Sequence, residues 1–126
     1  MRLLDSNIVI YATQPANGWL RSDILSQPFA VSQATRIEVL GWHKLTSQDK
    51  TDLEIFLTAG VVLSISDAIA DRAIALRQAR NFSLGDALIA ATALEHDLEL
   101  ATRNADDFKH VSGLKWSNPF DQAPAP

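Results

Sequence analysis

A chain of 126 residues has the size of one domain, and a hydrophobic share of 47% is enough to build a proper core. The absence of cysteine excludes disulfides, thiolate metal sites and a cysteine nucleophile, and fits a reducing compartment. A formal net charge of −4 argues against holding nucleic acid by bulk electrostatics, and argues less against a nuclease whose acids ligate metal.

Leu3-Leu4 reads as a short strand, and Ser6 to Ala12 opens a helix capped by Asp5 or Ser6. Pro15 to Gly18 is a loop, followed by a helix from Trp19 to Ser26 that stops before Pro28. Phe29 to Ser32 is a candidate buried strand. Helices are predicted over Thr35 to Lys44 and over Gln48 to Thr58, the second ended by Gly60. Val61 to Ile65 is the clearest strand by β-branched content. Ser66 caps a helix to about Arg80, with Ile69, Ala73, Leu76 and Ala79 at helical spacing. Leu84 to His96 is a helix apolar on nearly every side, so it should be mostly buried. Glu99 to Thr102 is a last clear strand. The remainder is irregular, with a further strand at Leu114 to Trp116 and a frayed Pro/Ala tail over residues 122–126.

Strands alternate with helices throughout, which predicts one α/β domain over residues 1–121 with a mostly parallel sheet of four to five strands between helical layers. No apolar run approaches the ~20 residues of a membrane span. Met1 to Asp5 does not read as a signal peptide, so a cytoplasmic protein without membrane attachment is expected.

Three carboxylates stand in apolar company. Asp86 is the one charged residue between Leu84 and Leu94, Asp5 sits between Leu3-Leu4 and Ile8-Val9-Ile10, and Glu38 sits between Ile37 and Val39. A buried carboxylate is costly unless a cation or hydrogen bonds compensate it. Ligands in parallel sheets bind beyond the carboxyl ends of the strands, where Asp5 and the Thr102-Arg103-Asn104 segment fall. These acids, with Asn104, Asp106 and Asp107, form an oxygen-only set; His43, His96 and His110 are scattered elsewhere. Such donors favour magnesium or manganese over zinc, and phosphodiester hydrolysis is the natural reaction class. Helix capping is the alternative: Glu38 follows Thr35 by three residues, Asp86 follows Ser83 by three, and Asp5 precedes a helix. The two readings are compatible, since a helix N-terminus can aim a carboxylate. Ser6 and Thr102 are candidates to hydrogen-bond metal-bound water or to cap backbone. Arg36 and Arg103 flank the site in sequence and are candidate phosphate contacts. Trp19, Trp42 and Trp116 are assigned to core or interface, and Arg77 and Arg80 to a solvated helix end.

At these residues the chain resembles the PIN-domain ribonucleases, most closely the VapC toxins of VapBC toxin–antitoxin pairs. The likeness is carried by Met1-Arg-Leu-Leu-Asp-Ser-Asn-Ile8, by Val31-Ser-Gln-Ala-Thr-Arg-Ile-Glu-Val-Leu40, by Phe82 to Leu94 continuing through Leu100 to Phe108, and by Asn118-Pro-Phe120. The resemblance implies a PIN-like three-layer α/β/α domain in which Asp5, Glu38 and Asp86 form the acidic metal-binding triad. Asn104 matches a position where many relatives carry a fourth acid, and Asp107 is its candidate substitute. Ser6 replaces a usual threonine and keeps the hydroxyl. The implied activity is a Mg2+-dependent endoribonuclease toxin, with Mn2+ as possible substitute, acting on RNA as a homodimer and silenced by a cognate VapB-like antitoxin. A metal-dependent nuclease outside a toxin pair, or an inactive PIN-like scaffold, are the alternative readings.

Overall fold

Leu3 and Leu4 are neighbours in one short strand, and both are fully buried. Successive strand side chains point to opposite faces, so the sheet must be covered on both sides. In the computed structural model, which describes residues 1–125, this is the case. The strands are β1 (Arg2–Leu4), β2 (Phe29–Ser32), β3 (Val61–Leu63), β4 (Glu99–Ala101) and β5 (Trp116–Ser117). The helices are α1 (Ser6–Thr13), α2 (Gly18–Leu25), α3 (Gln33–Leu40), α4 (Ser47–Thr58), α5 (Asp67–Ala79) and α6 (Leu84–His96).

All five strands are parallel, in the order β3-β2-β1-β4-β5. Leu3 pairs with Ala30 on one side and Leu100 on the other, and these three pack with α5 and α6. Leu4, Phe29, Val31 and Ala101 face the other way, onto apolar residues of α1, α2, α3 and α4. The α/β/α layering expected from the alternation is therefore present, with a sheet that is wholly parallel. No helix among the described residues is long and apolar enough to cross a membrane.

β2 and α6 have the limits expected from sequence, while other elements differ for identifiable reasons. α3 begins at Gln33, two residues before the expected Thr35, because Ser32 is its cap: the Ser32 hydroxyl accepts from the Ala34 N–H at 3.0 Å. It ends at Leu40, so Trp42 to Lys44 lie beyond it, and Trp42 is 54% exposed rather than part of the core. β3, the richest in β-branched residues, is an edge strand that stops at Leu63. The strand expected at Leu114 to Trp116 forms instead at Trp116–Ser117, where Ser117 pairs with Ala101. The Pro15 to Gly18 loop contains a single 3-10 turn over Pro15–Asn17, and Gly18 already belongs to α2. Further 3-10 turns lie at Ala105–Asp107 and at Pro119–Gln122, and the latter reaches one residue into the expected tail, of which Pro126 lies outside the described residues.

Candidate active site

β1 is the centre of the sheet; the chain runs outward from it through β2 to β3, then crosses to β4 on its other side. That reversal opens a crevice beyond the carboxyl ends of β1 and β4. Asp5 is the first residue past β1, and its backbone N–H donates to the Ala101 carbonyl at 2.9 Å. Asp5 is the N-cap of α1, with Oδ1 accepting from the Ser6 N–H at 2.8 Å. Oδ2 accepts from the hydroxyl of Thr102, just past β4, at 2.8 Å. Asp5 is 4% exposed and Thr102 fully buried. The cap reading of Asp5 is compatible with the site reading: capping fixes one oxygen, and Thr102 after β4 fixes the other.

Glu38 comes from α3. The Ser6 Oγ lies 3.2 Å from both Glu38 Oε1 and Thr35 Oγ1. A hydroxyl has one proton and a carboxylate only accepts, so Ser6 donates to Glu38 and Thr35 supplies the other hydroxyl bond. Thr35 is not a helix cap, as its spacing from Glu38 suggested; it is fully buried inside α3 and supports Ser6. Nor is Glu38 enclosed by its apolar neighbours. Ile37 is 60% exposed and Val39 is 2% exposed, because adjacent helical residues point in different directions.

Asp86 is the third residue of α6. Its N–H donates to the Ser83 hydroxyl at 3.2 Å, so the capping expected at Ser83 is present. The buried part of α6 begins at Ala87, while Leu84 at its start is 58% exposed, so Asp86 stands half-buried at the rim of the crevice. The helix N-terminus favours a negative charge there.

The charges of the other two acids meet at Asp5. Burial pushes the Asp5 carboxyl up to about 6; its bonds from Thr102 and Ser6 oppose the rise, and the charges of Asp86 and Glu38 add to it. Loss of solvent also raises Glu38, against the Ser6 bond and with the Asp86 charge. Asp86 is raised by burial, held down by Ser83 and raised again by Asp107. Asp107 is exposed, as is Asn104, but its charge reaches Asp86, while the Asn104 N–H donates to the Thr102 hydroxyl at 3.0 Å. Arg36 is exposed on α3. The Arg103 guanidinium carbon lies 4.0 Å from the Phe120 ring centroid and 5.1 Å from that of Tyr11.

Gly85 was not singled out by any motif, yet it governs Glu38. A Cβ at position 85 would stand 2.9 Å from Glu38 Oε1. The obstacle is the end of a flexible side chain, so Gly85→Ala is expected to fold normally, with about 0.5–1 kcal/mol gained from helix propensity. By displacing Glu38 it should lower nuclease turnover about tenfold or more. A thermal melt beside an RNA-cleavage rate checks both halves, and undiminished cleavage would show that Glu38 need not sit there.

Residues 2–114 match the PIN domain family model. The chain is a PIN domain. Ribonuclease VapC10 of Mycobacterium tuberculosis is 32% identical to it over 123 residues, covering 91% of each chain. A toxin–antitoxin complex from Klebsiella pneumoniae contains a chain 33% identical, with a TM-score of 0.76 over 94% of this chain and 98% of that one. VapBC2 from Rickettsia felis, bound to a fragment of promoter DNA, superposes with a TM-score of 0.80 over 93% of this chain and 97% of that one; at 22% identity this shows the fold alone. Within the family the chain is of the VapC type.

Whether this PIN domain fits a divalent ion is a question of donor chemistry and spacing. The donors are carboxylates backed by hydroxyls, as hard cations require. Among the described residues no three acidic or imidazole side chains close into a ready-made cage. Magnesium does not need one, because it keeps several waters and takes only one or two protein carboxylates. Mutually repelling acids with raised pKa values are what such an ion relieves, so the residues fit.

Proposed function

We propose that this PIN domain is a Mg2+-dependent endoribonuclease toxin, silenced in the cytoplasm by a cognate VapB-like antitoxin. The observation that carries the reading is the convergence of Asp5, Glu38 and Asp86, from three separate crossovers, on one crevice where the charges of Glu38 and Asp86 raise the Asp5 carboxyl and that of Asp86 raises Glu38. A structural role gives no reason to gather three like charges, since such a cluster destabilises the fold that holds it.

When bound, magnesium or manganese supplies an acidified water and neutralises charge developing at phosphorus. Asp5 and Asp86 would hold the ion, with Glu38 completing the set. Thr102 and the Ser6 N–H fix both oxygens of Asp5, so its carboxylate is presented in one orientation. Ser6 holds Glu38 toward the crevice, and Thr35 holds Ser6. Hydrolysis arranged this way needs no 2′-hydroxyl nucleophile and leaves 5′-phosphate and 3′-hydroxyl ends.

A groove of about 460 Å³ runs from Ser6 and Glu38 along Ile10, Val39, Trp42 and Leu45. Its apolar floor and acidic end suit an antitoxin segment that seats apolar side chains and offers an arginine to the carboxylates. Toxins of this type are expected to act as homodimers, which sedimentation of the purified chain would test.

The deciding experiment is incubation of total RNA with partner-free protein, in magnesium and in excess chelator. Discrete 5′-phosphorylated fragments that disappear with chelator are expected. An RNA pool left intact in magnesium would sink the nuclease reading in favour of a binding scaffold.

A further inference from the structure

RNA brings negative charge to a domain whose own charge is −4 and whose candidate site is a cluster of acids. Fixed cations near the site must therefore offset that repulsion locally. Most cations of this chain are already engaged. Arg2 pairs with Asp23, Arg72 with Glu95, Lys109 with Asp106 and Lys115 with Asp97, while Arg21 and Arg77 donate to backbone carbonyls. Arg103 differs. Among the described residues its side chain has no carboxylate or carbonyl partner, yet it is held in place by two aromatic rings.

Its seat is built from three parts of the chain. Tyr11 lies on α1, the helix that Asp5 caps, and Phe120 lies in the C-terminal 3-10 turn. The two rings meet edge to face at 5.3 Å, and Trp19 braces Phe120 from another side, also at 5.3 Å. A guanidinium over a ring face gains electrostatic attraction without using its N–H donors, which stay free in its plane for a phosphate. Its backbone stands next to the crevice. Thr102, directly before it, holds Asp5. A polar cavity of about 340 Å³ joins Arg103 to Asp107, whose charge acts on Asp86.

We infer that Arg103, seated on Phe120 and Tyr11, grips an RNA phosphate beside the acidic crevice, and that Phe120 is its positioning residue. This rests on the ribonuclease reading. It also gives the C-terminal Asn118-Pro119-Phe120 segment a task, since Asn118 Oδ1 accepts from the Phe120 N–H at 2.9 Å and fixes the turn that carries the ring.

The test uses the full chain and a labelled, mixed-sequence single-stranded RNA pool. Cleavage kinetics are measured in magnesium, and the salt dependence of binding is measured in an Asp86→Asn background that does not cut. Arg103→Ala should raise KM about tenfold with little change in kcat, and lower the log–log salt slope by about 0.7, the loss of one phosphate contact on a single strand. Arg103→Lys should keep the slope but restore only part of KM, because a point charge lacks the fork. Phe120→Leu should keep the slope and raise KM several-fold. Native KM and slope in Arg103→Ala, in a protein with an unchanged melt, overturn the inference while leaving the nuclease standing. Native kinetics in Phe120→Leu alone overturn the positioning half. If the native chain neither cuts nor binds the pool, the ribonuclease reading itself fails and this inference falls with it.

Discussion

Asp5→Asn and Asp86→Asn are each expected to lower RNA cleavage by about a thousandfold or more. Each removes one of the two carboxylates proposed to hold the ion, and a thousandfold loss corresponds to about 4 kcal/mol of transition-state stabilisation. Neither change should unfold the protein. An amide oxygen at position 5 can still accept from the Ser6 N–H, and Thr102 can turn its hydroxyl to accept from the amide. At position 86 the capping bond uses the backbone N–H, which the substitution leaves in place. The two variants should therefore melt like folded proteins while failing to cut. Cleavage within about tenfold of native by Asp86→Asn would remove Asp86 from the chemistry.

The second large effect is on stability. Without metal, the folded chain should lose stability as pH rises. The Asp5 carboxyl is raised from 3.8 to about 6 in the fold, so between those values the folded state binds a proton that the unfolded chain has released. Stability is then fully present below about pH 4 as far as Asp5 is concerned, and is lost as pH climbs through 6. A shift of this size is worth up to about 3 kcal/mol at neutral pH. Glu38 and Asp86, raised in the same direction, add to the trend. Melting temperatures in excess chelator should fall by several degrees, on the order of 5–10 °C, between about pH 5 and about pH 7.5. Magnesium at about a hundred times its dissociation constant should return about 2.7 kcal/mol of this. Asp5→Asn should flatten the profile and melt higher than the native chain at neutral pH in chelator. A metal-free melt independent of pH over that range would contradict the strain assigned to Asp5.

The acids themselves were legible in the sequence because a carboxylate among apolar residues stands out locally. Their surroundings were not. Glu38 looked enclosed by Ile37 and Val39, but those side chains point away from each other, and Glu38 is exposed apart from a crowded carboxyl end. Thr35 looked like a cap at capping-box spacing, whereas the true cap is Ser32, the last residue of β2. A cap belongs to the first turn of its helix, and where that turn begins depended on how far β2 ran. Gly85 and Phe120 carried no motif of their own; one matters through Glu38 and the other through Arg103, contacts that span 47 and 17 residues by position.

By itself the sequence determined what short-range physics controls. Short apolar runs marked β2 and α6, and the caps at Asp5, Ser66 and Ser83 set helix starts. Only the tertiary structure decided the strand order, with β1 at the centre. That order brings the ends of β1 and β4 side by side, gives Asp5 its bond from Thr102 across 97 residues, and places α3 and α6 to bring Glu38 and Asp86 to the same crevice. The raised pKa of Asp5 exists only in that arrangement. It comes from burial and from charges that neighbour it in space alone.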